Sequence, residues 1–317
     1  MKQINKIFIL KLNYYNTKKV KDKLIIILFF IIIIYEYTEL NKNYINDKPK
    51  INKDTVRRRK KIPNHKNRNI ESKINYYKQY GNNIEKYQHT HIYSDNIYWC
   101  WFQGINNAPK LYQATFNSVS INCNKHNIIV INKTNINQYV KFPSYILEKY
   151  EQKLFTDTHF SDLLRLELLI KYGGTWIDAS VLITKYEKIF FKRDLFFFNL
   201  SSWFITSEKE SPVLKTTRDL LYEYWRKEND LCYYFLFHEF FLFAYEKYKN
   251  DYIHIPNISN NPEHLLQKYL MKKMNNKQYL TLIKNIYVHK LNIKFLKKKF
   301  KTKNSFFNHI LKTYLKK

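Results

Sequence analysis

Three charged side chains near the middle of the chain have types and a spacing that could do chemistry. Asp162 and Arg165 are three residues apart, so on a helix they lie on one face. Asp178 comes shortly after a double glycine, Gly173-Gly174, at the end of an apolar stretch. An ionised carboxylate that is buried needs a compensating partner. Two interpretations are open: Asp178 is an oxygen ligand for a divalent cation, or it caps a turn or pairs with a lysine.

The sequence around these residues predicts a helix, a sharp turn and a strand. Apolar residues recur at helical spacing over 163–170, and Thr158 or Ser161 is expected to cap this helix. The two glycines are expected to end the helix and to permit a close backbone approach. In the strand that follows, Trp176, Asp178 and Ser180 point to one face, because side chains alternate along a strand.

The flanking sequence predicts further strands and helices in alternation. The run 97–102 is rich in β-type residues, and Pro109 suits the first position of a helix that ends near Cys123. The other predicted elements are strands over 128–131 and 201–205 and helices over 145–154, 212–226 and 233–245. This order predicts an α/β layered domain. The last helix contains His238, which is either a core histidine bonded to a backbone carbonyl or a metal or phosphate ligand.

The segment SDLLRLELLIKYGGTWIDASVLIT, which begins at Ser161, resembles the capsular polysaccharide synthesis protein family, whose relatives include α-mannosyltransferases and other DxD sugar transferases. The similarity extends from Trp99, in the pattern Trp-x-Trp-x-x-Gly, to His238. The resemblance implies a nucleotide-diphospho-sugar transferase fold of the GT-A type. It also implies that a sugar moves from a nucleotide-activated donor to a glycan or polysaccharide acceptor.

The resemblance also assigns roles to individual residues by their position in the motif. Asp162 is expected to contact the ribose or the sugar of the donor, and Arg165 the sugar or a phosphate. Asp178 is expected to hold Mn²⁺ or Mg²⁺ on the diphosphate, where the cation and a guanidinium stabilise the leaving group. Ser180 stands where many relatives have a second aspartate, so it offers a neutral oxygen. The donor-binding set is Asp162, Arg165, Gly173, Gly174 and Trp99, and the metal set is Asp178, Ser180 and His238.

The composition excludes several other classes of site. The chain has 317 residues and four glycines, and it contains neither GxGxxG nor GxxxxGK[ST], the common dinucleotide and P-loop fingerprints. Its three cysteines have no CxxC spacing, so they indicate neither a zinc site nor a disulfide scaffold. The formal net charge of +29 comes mainly from the two ends of the chain. No specific nucleic-acid partner is expected, because a nucleic-acid groove needs positive charge on the folded body.

Hydropathy and charge divide the chain into four regions. Residues 1–40 are a basic segment with an apolar run, 24–35, which is expected to be a single-pass membrane anchor; a buried core element is the alternative. Residues 41–94 are interpreted as a polar, basic stem and residues 95–256 as the catalytic domain. Residues 257–317 are interpreted as a basic helical extension, which either suits an anionic membrane surface or presents a solvated helical face. Together the regions predict a membrane-associated protein.

The sequence therefore predicts a metal-assisted glycosyltransferase of surface polysaccharide or glycan synthesis, with retention at the anomeric carbon implied by the resemblance. The alternative is a degenerate transferase domain that serves as a basic membrane- or nucleic-acid-associated interaction protein. A glycoside hydrolase with Asp162 and Asp178 as paired carboxylates fits less well, because that chemistry needs neither an arginine nor a metal at a phosphate.

Overall fold

The structure is a computed structural model that describes residues 64–199, 201–253, 255, 258, 260–293 and 304–315. Arg68–Lys317 form one compact unit, and the side-chain contacts described below lie within it. The predicted anchor at 24–35 lies outside the described residues. In the part of the chain that the structure describes, no helix is both long and apolar enough to cross a membrane.

The described residues alternate between helices and strands, as the sequence predicts. The helices are α1 (Asn64–Asn82), α2 (Lys110–Asn122), α3 (Ile136–Tyr139), α4 (Ser144–Glu151), α5 (Asp157–Tyr172), α6 (Pro212–Lys227), α7 (Leu236–Tyr248), α8 (Leu265–Tyr269), α9 (Asn276–Asn285) and α10 (Phe306–Tyr314). The strands are β1 (Asn96–Cys100), β2 (Asn127–Ile131), β3 (Gly174–Ile177), β4 (Val181–Ile183), β5 (Leu195–Phe197), β6 (Phe204–Ser207) and β7 (Val288–Lys290).

Five of the strands form a mixed sheet in the order β2-β1-β3-β6-β5. β1 pairs in parallel with β2 and with β3, whereas β6 is antiparallel to β3 and to β5. The carboxyl ends of β1, β2 and β3 therefore lie at one edge, where open α/β sheets bind ligands. The predicted α/β class is confirmed, and the GT-A assignment stays a prediction.

Helix α5 begins earlier than the sequence predicts. Its first residue is Asp157 and its N-cap residue is Thr156, so the expected caps Thr158 and Ser161 were wrong. Both lie inside the first turns, where Ser161 Oγ donates to the carbonyl oxygen of Thr158. The helix already buries Phe160, so its apolar face begins before the leucine-rich stretch that marked it in the sequence.

The stretch predicted as one strand after the glycines is two strands in different sheets. β3 ends at Ile177, and a turn follows in which the Val181 N–H donates to the Asp178 carbonyl oxygen at 3.0 Å. β4 then pairs with β7 in a two-stranded antiparallel sheet, so the region interpreted as a C-terminal extension contributes a strand next to this turn. All three residues of β4 are buried, and an unbroken apolar run does not reveal where a chain changes sheets.

The double glycine brings backbones into close contact at the amino end of β3. Both residues have positive φ angles, +67° at Gly173 and +101° at Gly174. A Cβ atom on Gly173 would lie 2.9 Å from the backbone nitrogen of Lys209, and one on Gly174 would lie 2.4 Å from the carbonyl oxygen of Asn96. These positions therefore favour glycine strongly. The predicted close approach exists, and it is made to neighbouring backbone.

Part of the predicted stem is folded onto the α/β body. Helix α1 buries Ile74 and Tyr77 in the main hydrophobic core. Glu228, just after α6, accepts hydrogen bonds from Lys73 Nζ at 2.6 Å and from the Tyr77 hydroxyl at 3.0 Å. The helix was missed because its sequence is polar outside these few contacts, which an isolated pattern does not reveal. The domain boundary at residue 94 stays a prediction.

Candidate active site

Asp178 lies at the carboxyl end of β3, where the central strand stops. Its backbone N–H donates to the carbonyl oxygen of Trp203 at 2.9 Å, which fixes the start of the turn. Asp178 Oδ1 accepts from Trp176 Nε1 at 2.7 Å and from Arg165 Nη2 at 3.2 Å. Asp178 Oδ2 accepts from Lys290 Nζ at 2.6 Å. The side chain is 24% exposed, so a ligand in solution can reach it.

Arg165 projects from α5 and joins the two aspartates that the sequence singled out. Its Nη1 bonds Asp162 Oδ1 at 2.5 Å, and its Nη2 bonds Asp178. The guanidinium carbon lies 5.2 Å from the ring centre of Trp176 and 5.4 Å from that of Phe237. Contacts of this kind stabilise a cation. The sequence predicted this association of Asp162, Arg165 and Asp178, and the structure places the three side chains together.

The two carboxyl groups have different proton affinities. Burial raises the pKa of Asp178, but Lys290 and Arg165 together outweigh burial and lower it to about 2. Burial also raises the pKa of Asp162, and there it prevails over Arg165, so that this pKa is about 6. Burial lowers the pKa of Lys290, against the attraction of Asp178. Asp178 is therefore the permanent anion of the site, while Asp162 titrates near pH 6.

Lys290 is the part of the site that sequence reasoning missed. It is the last residue of β7, and its register opposite Val181 carries it to the turn after β3. Its Nζ also lies 5.9 Å from the ring centre of Trp203. Pairing with a lysine was one of the two interpretations of Asp178, but the partner stands 112 residues away. The sequence feature that could have pointed to Lys290 is a lone lysine inside a short β-type run, 286–291.

A divalent cation at Asp178 competes with Lys290 for the same carboxylate. Lys290 takes Oδ2 and Arg165 takes Oδ1, so two positive side chains already balance the charges of Asp162 and Asp178. Among the described residues, one group of three or more His, Cys, Asp or Glu side chains lies close enough to share a metal ion, and Asp178 is not in it. In their present positions these side chains do not form a set of ligands that fits a cation. Metal binding at Asp178 stays a prediction.

Ser180 and His238, the other predicted metal ligands, lie near Asp178 without completing such a site. Ser180 is in the turn after β3, and its carbonyl oxygen accepts the Leu291 N–H at 2.8 Å. Burial, with a smaller effect from Arg165, lowers the pKa of His238 to about 4, so its ring is neutral at pH 7. Within the described residues, His238 Nδ1 is buried without a hydrogen-bond partner. The carbonyl expected for a core histidine is therefore not found at this nitrogen.

Trp99 and the two glycines, assigned to the donor by resemblance, have different places relative to Asp178. Trp99 is fully buried, and its ring packs edge-on against Phe116 at 5.1 Å. It pairs in register with Ile177, so its side chain points to the opposite face of the sheet from Trp176. The glycines are at the other end of β3. The glycines contact neighbouring backbone and Trp99 lies in the core, and donor binding by these three residues stays a prediction.

A family model described as "Capsular polysaccharide synthesis protein" matches residues 48–310. The chain belongs to the capsular polysaccharide synthesis protein family. The match confirms the resemblance and extends it in both directions, so that α1 and Lys290 both lie within the region matched to the capsular family. No curated protein matches the chain. A solved structure titled "PaToxG Glycosyltransferase" is similar with 17% identity and a TM-score of 0.33, over 60% of this chain and 82% of that one.

In this member of the capsular family, the cluster at β3 holds a guanidinium and an ammonium in fixed positions, with the Arg165 side chain 3% exposed and that of Lys290 18% exposed. Arginine recognises phosphate with strong, directional hydrogen bonds. Positive groups that are held in place in a partly dry site stabilise negative charge as it develops in a reaction. The two carboxylates hold these cations and can also accept hydrogen bonds from hydroxyl groups. The arrangement is suited to a ligand that carries both phosphate and hydroxyl groups.

Proposed function

We propose that the protein is a glycosyltransferase that moves a sugar from a nucleotide-diphospho-sugar donor to a glycan or polysaccharide acceptor. The observation that carries the proposal is the cluster of Asp162, Arg165, Asp178 and Lys290 at the carboxyl edge of the sheet. A polysaccharide is built by joining sugars, and activated sugars carry a diphosphate. A member of the capsular family with a cationic, carboxylate-lined cluster is therefore suited to that class of donor.

In the proposed reaction, the bond between the anomeric carbon and the diphosphate oxygen breaks, and the diphosphate leaves with the electron pair. An acceptor hydroxyl oxygen forms the new bond to the anomeric carbon, and its proton passes to the departing diphosphate. Arg165 and Lys290 stabilise the negative charge on the leaving group. Lys290 is placed for this because its Nζ is held 2.6 Å from Asp178, at the carboxyl end of β3. Asp162 and Asp178 orient the two cations and accept hydroxyl protons of the ribose or sugar in hydrogen bonds. Retention at the anomeric carbon is part of the proposal by resemblance.

Metal dependence is a separate part of the proposal. Asp178 would hold the Mn²⁺ or Mg²⁺ that the sequence predicts, and the cation would supply positive charge at the diphosphate in competition with Lys290. If it does not bind, Lys290 and Arg165 supply the positive charge themselves. Membrane association through residues 24–35 also stays a prediction, and it would bring the site to a lipid-linked or surface-bound acceptor.

The proposal is tested by supplying the full-length chain with a panel of UDP-, GDP- and CDP-sugars and measuring release of the nucleoside diphosphate, with Mn²⁺ and with EDTA. We expect turnover of one donor, reduced about 100-fold or more by Asp178→Asn and by Lys290→Gln. Lys215→Gln is the matched control, because Lys215 forms a 2.9 Å ion pair with Glu210 and has a similarly exposed side chain. Failure to bind or turn over any donor in either buffer would favour the degenerate interaction protein.

A further inference from the structure

A second group of chemically active side chains lies at the opposite end of the sheet from Asp178. Glu208 directly follows β6, and the register of β6 against β3 places Ser207 opposite Gly174. The extended segment before β1 crosses this end of the sheet and brings His89 and His91 to Glu208. Asp194, just before β5, is held beside Glu208 because the Glu208 N–H donates to its carbonyl oxygen at 3.0 Å. We call these four side chains the His89–Glu208 cluster.

We propose that the His89–Glu208 cluster binds a zinc ion that fastens the segment before β1 to the sheet. His89 Nδ1 lies 2.5 Å from Glu208 Oε1, and His91 Nδ1 lies 4.0 Å from Glu208 Oε2 and 3.1 Å from Asp194 Oδ1. The ligand atoms of His89, His91 and Glu208 are all within 4.8 Å of one another. Zinc binds histidine nitrogen and carboxylate oxygen at about 2.0–2.2 Å, so small movements of these side chains suffice.

The backbone already holds the ligands in place. Glu208 is fully buried, and its Oε2 accepts the N–H groups of Thr90 and His91 at 3.0 and 2.5 Å. The Lys209 N–H in turn donates to the Ile92 carbonyl oxygen at 2.8 Å. The rings of His89 and His91 are stacked, with centres 5.4 Å apart and planes 9° from parallel. The Nδ1 atom of His89 faces the Glu208 carboxylate, and the Nδ1 atom of His91 faces the Asp194 carboxylate.

A second observation concerns the far side of the His89 ring. Within the described residues, His89 Nε2 is buried and makes no hydrogen bond. A carboxylate oxygen, Oδ2 of Asp251, lies 3.7 Å from it. A histidine that binds a metal commonly donates its other ring N–H to a carboxylate, which fixes the ring and its tautomer. Zinc at Nδ1 puts the proton on Nε2 and makes it a donor toward Asp251.

The charge and chemistry of the cluster favour zinc over Ca²⁺ and Mg²⁺. Two neutral imidazoles and two carboxylates carry a total charge that a divalent ion neutralises. Mixed nitrogen and oxygen ligands suit zinc, whereas Ca²⁺ and Mg²⁺ prefer sites made of oxygen. The side chain of His91 is 64% exposed, so an ion can enter from solvent. The site lies at the far end of β3 from Asp178, so this zinc ion is structural and takes no part in sugar transfer.

The experiment is zinc titration of the full-length chain after treatment with EDTA, by calorimetry and by metal analysis after dialysis. We expect one zinc ion per cluster in the wild type and a rise in the midpoint of thermal unfolding when zinc is added. His91→Ala and Glu208→Gln are expected to lose that ion and the rise. The amide oxygen that Glu208→Gln introduces can still accept the two backbone N–H groups, so this variant is expected to fold.

His309→Ala, on α10, is the control and is expected to behave as the wild type. A wild-type chain that binds no zinc, or variants of His91 and Glu208 that bind as much zinc as the wild type, would overturn the proposal. No donor is present in this titration, so its outcome is independent of the proposed glycosyltransferase activity.

Discussion

Lys290 Nζ lies 2.6 Å from Asp178 Oδ2 and joins the C-terminal part of the chain to the end of the central strand. The pair forms because β7 pairs with β4, the strand that follows Asp178 after a short turn. Both side chains are partly buried, 18% exposed for Lys290 and 24% for Asp178. The charge of Lys290 is therefore compensated mainly by Asp178, whereas the charge of Asp178 is compensated by Lys290 and by Arg165.

The first prediction is that Lys290→Gln and Asp178→Asn are not additive in their effect on stability. Removal of one partner leaves the other charge partly buried and unpaired, which costs more than removal of both. We expect a coupling of about 0.5–3 kcal/mol in the free energy of unfolding. Denaturation of the two single variants and the double variant measures it. The same double-mutant cycle on Lys215 and Glu210, whose carboxylate is more exposed, should give a coupling energy of about 0.2–1 kcal/mol. Additive effects of Lys290→Gln and Asp178→Asn would contradict the account.

The second prediction is that Arg165→Lys abolishes most of the transferase activity. The guanidinium reaches Asp162 and Asp178 through two different nitrogens, and an ammonium cannot reproduce that geometry. We expect kcat/KM for the active donor to fall about 100-fold. Arg226→Lys is the control, because the Arg226 side chain is 62% exposed in its pair with Glu223. Equal activity of the two variants would show that the guanidinium of Arg165 has no special role.

The third prediction concerns the glycines. Gly104 has a φ angle of +82° and a ψ angle of 151°, with no atom within 4 Å of an added Cβ, so Gly104→Ala measures the backbone strain alone, about 1–3 kcal/mol. Gly174→Ala adds a clash with the carbonyl oxygen of Asn96 and should cost about 1–3 kcal/mol more. Urea denaturation of both variants gives the difference. Equal losses would mean that the backbone approach at Gly174 is looser than described.

The fourth prediction is a pH dependence of stability from His289. The ring is fully buried in β7, and burial lowers its pKa from 6.5 to about 3, against a smaller effect of the Ile286 carbonyl. Between these values the unfolded chain binds a proton that the folded chain does not. The free energy of unfolding therefore falls as the pH is lowered from 6.5 towards 4, by up to about 1.4 kcal/mol per pH unit from this group. His289→Leu should have a shallower slope in denaturation series at pH 4.5–7, and an unchanged slope would refute the assignment.

The local part of the candidate site could be predicted from the sequence because its residues are close along the chain. Asp162 and Arg165 share a helix face, and the glycine turn returns the chain to Asp178 beside them. Lys290 could not be predicted, since its position depends on the pairing of β4 with β7, which no local pattern specifies. The helix α1 was missed for a similar reason: the burial of Ile74 and Tyr77 depends on the core they contact, which a local pattern does not show.

Residue types were a poorer guide than spacing where one residue suits two roles. Glycines permit close approach to a ligand or to backbone, and here Gly173 and Gly174 approach Lys209 and Asn96. A tryptophan stacks on sugars or fills a core, and Trp99 is buried in the core. The two histidines of the proposed zinc site lie in a segment without periodic pattern, and they meet Glu208 only through long-range packing.

The most direct test of the central claim compares the affinity of a nucleoside diphosphate with that of the matching monophosphate, by calorimetry on the full-length chain. The account predicts that the wild type binds the diphosphate more tightly. It also predicts that Lys290→Gln loses most of this preference, while Lys215→Gln keeps it. Equal affinity of the wild type for the two nucleotides, or a preference that survives in Lys290→Gln, would contradict the role assigned to the Asp178 cluster.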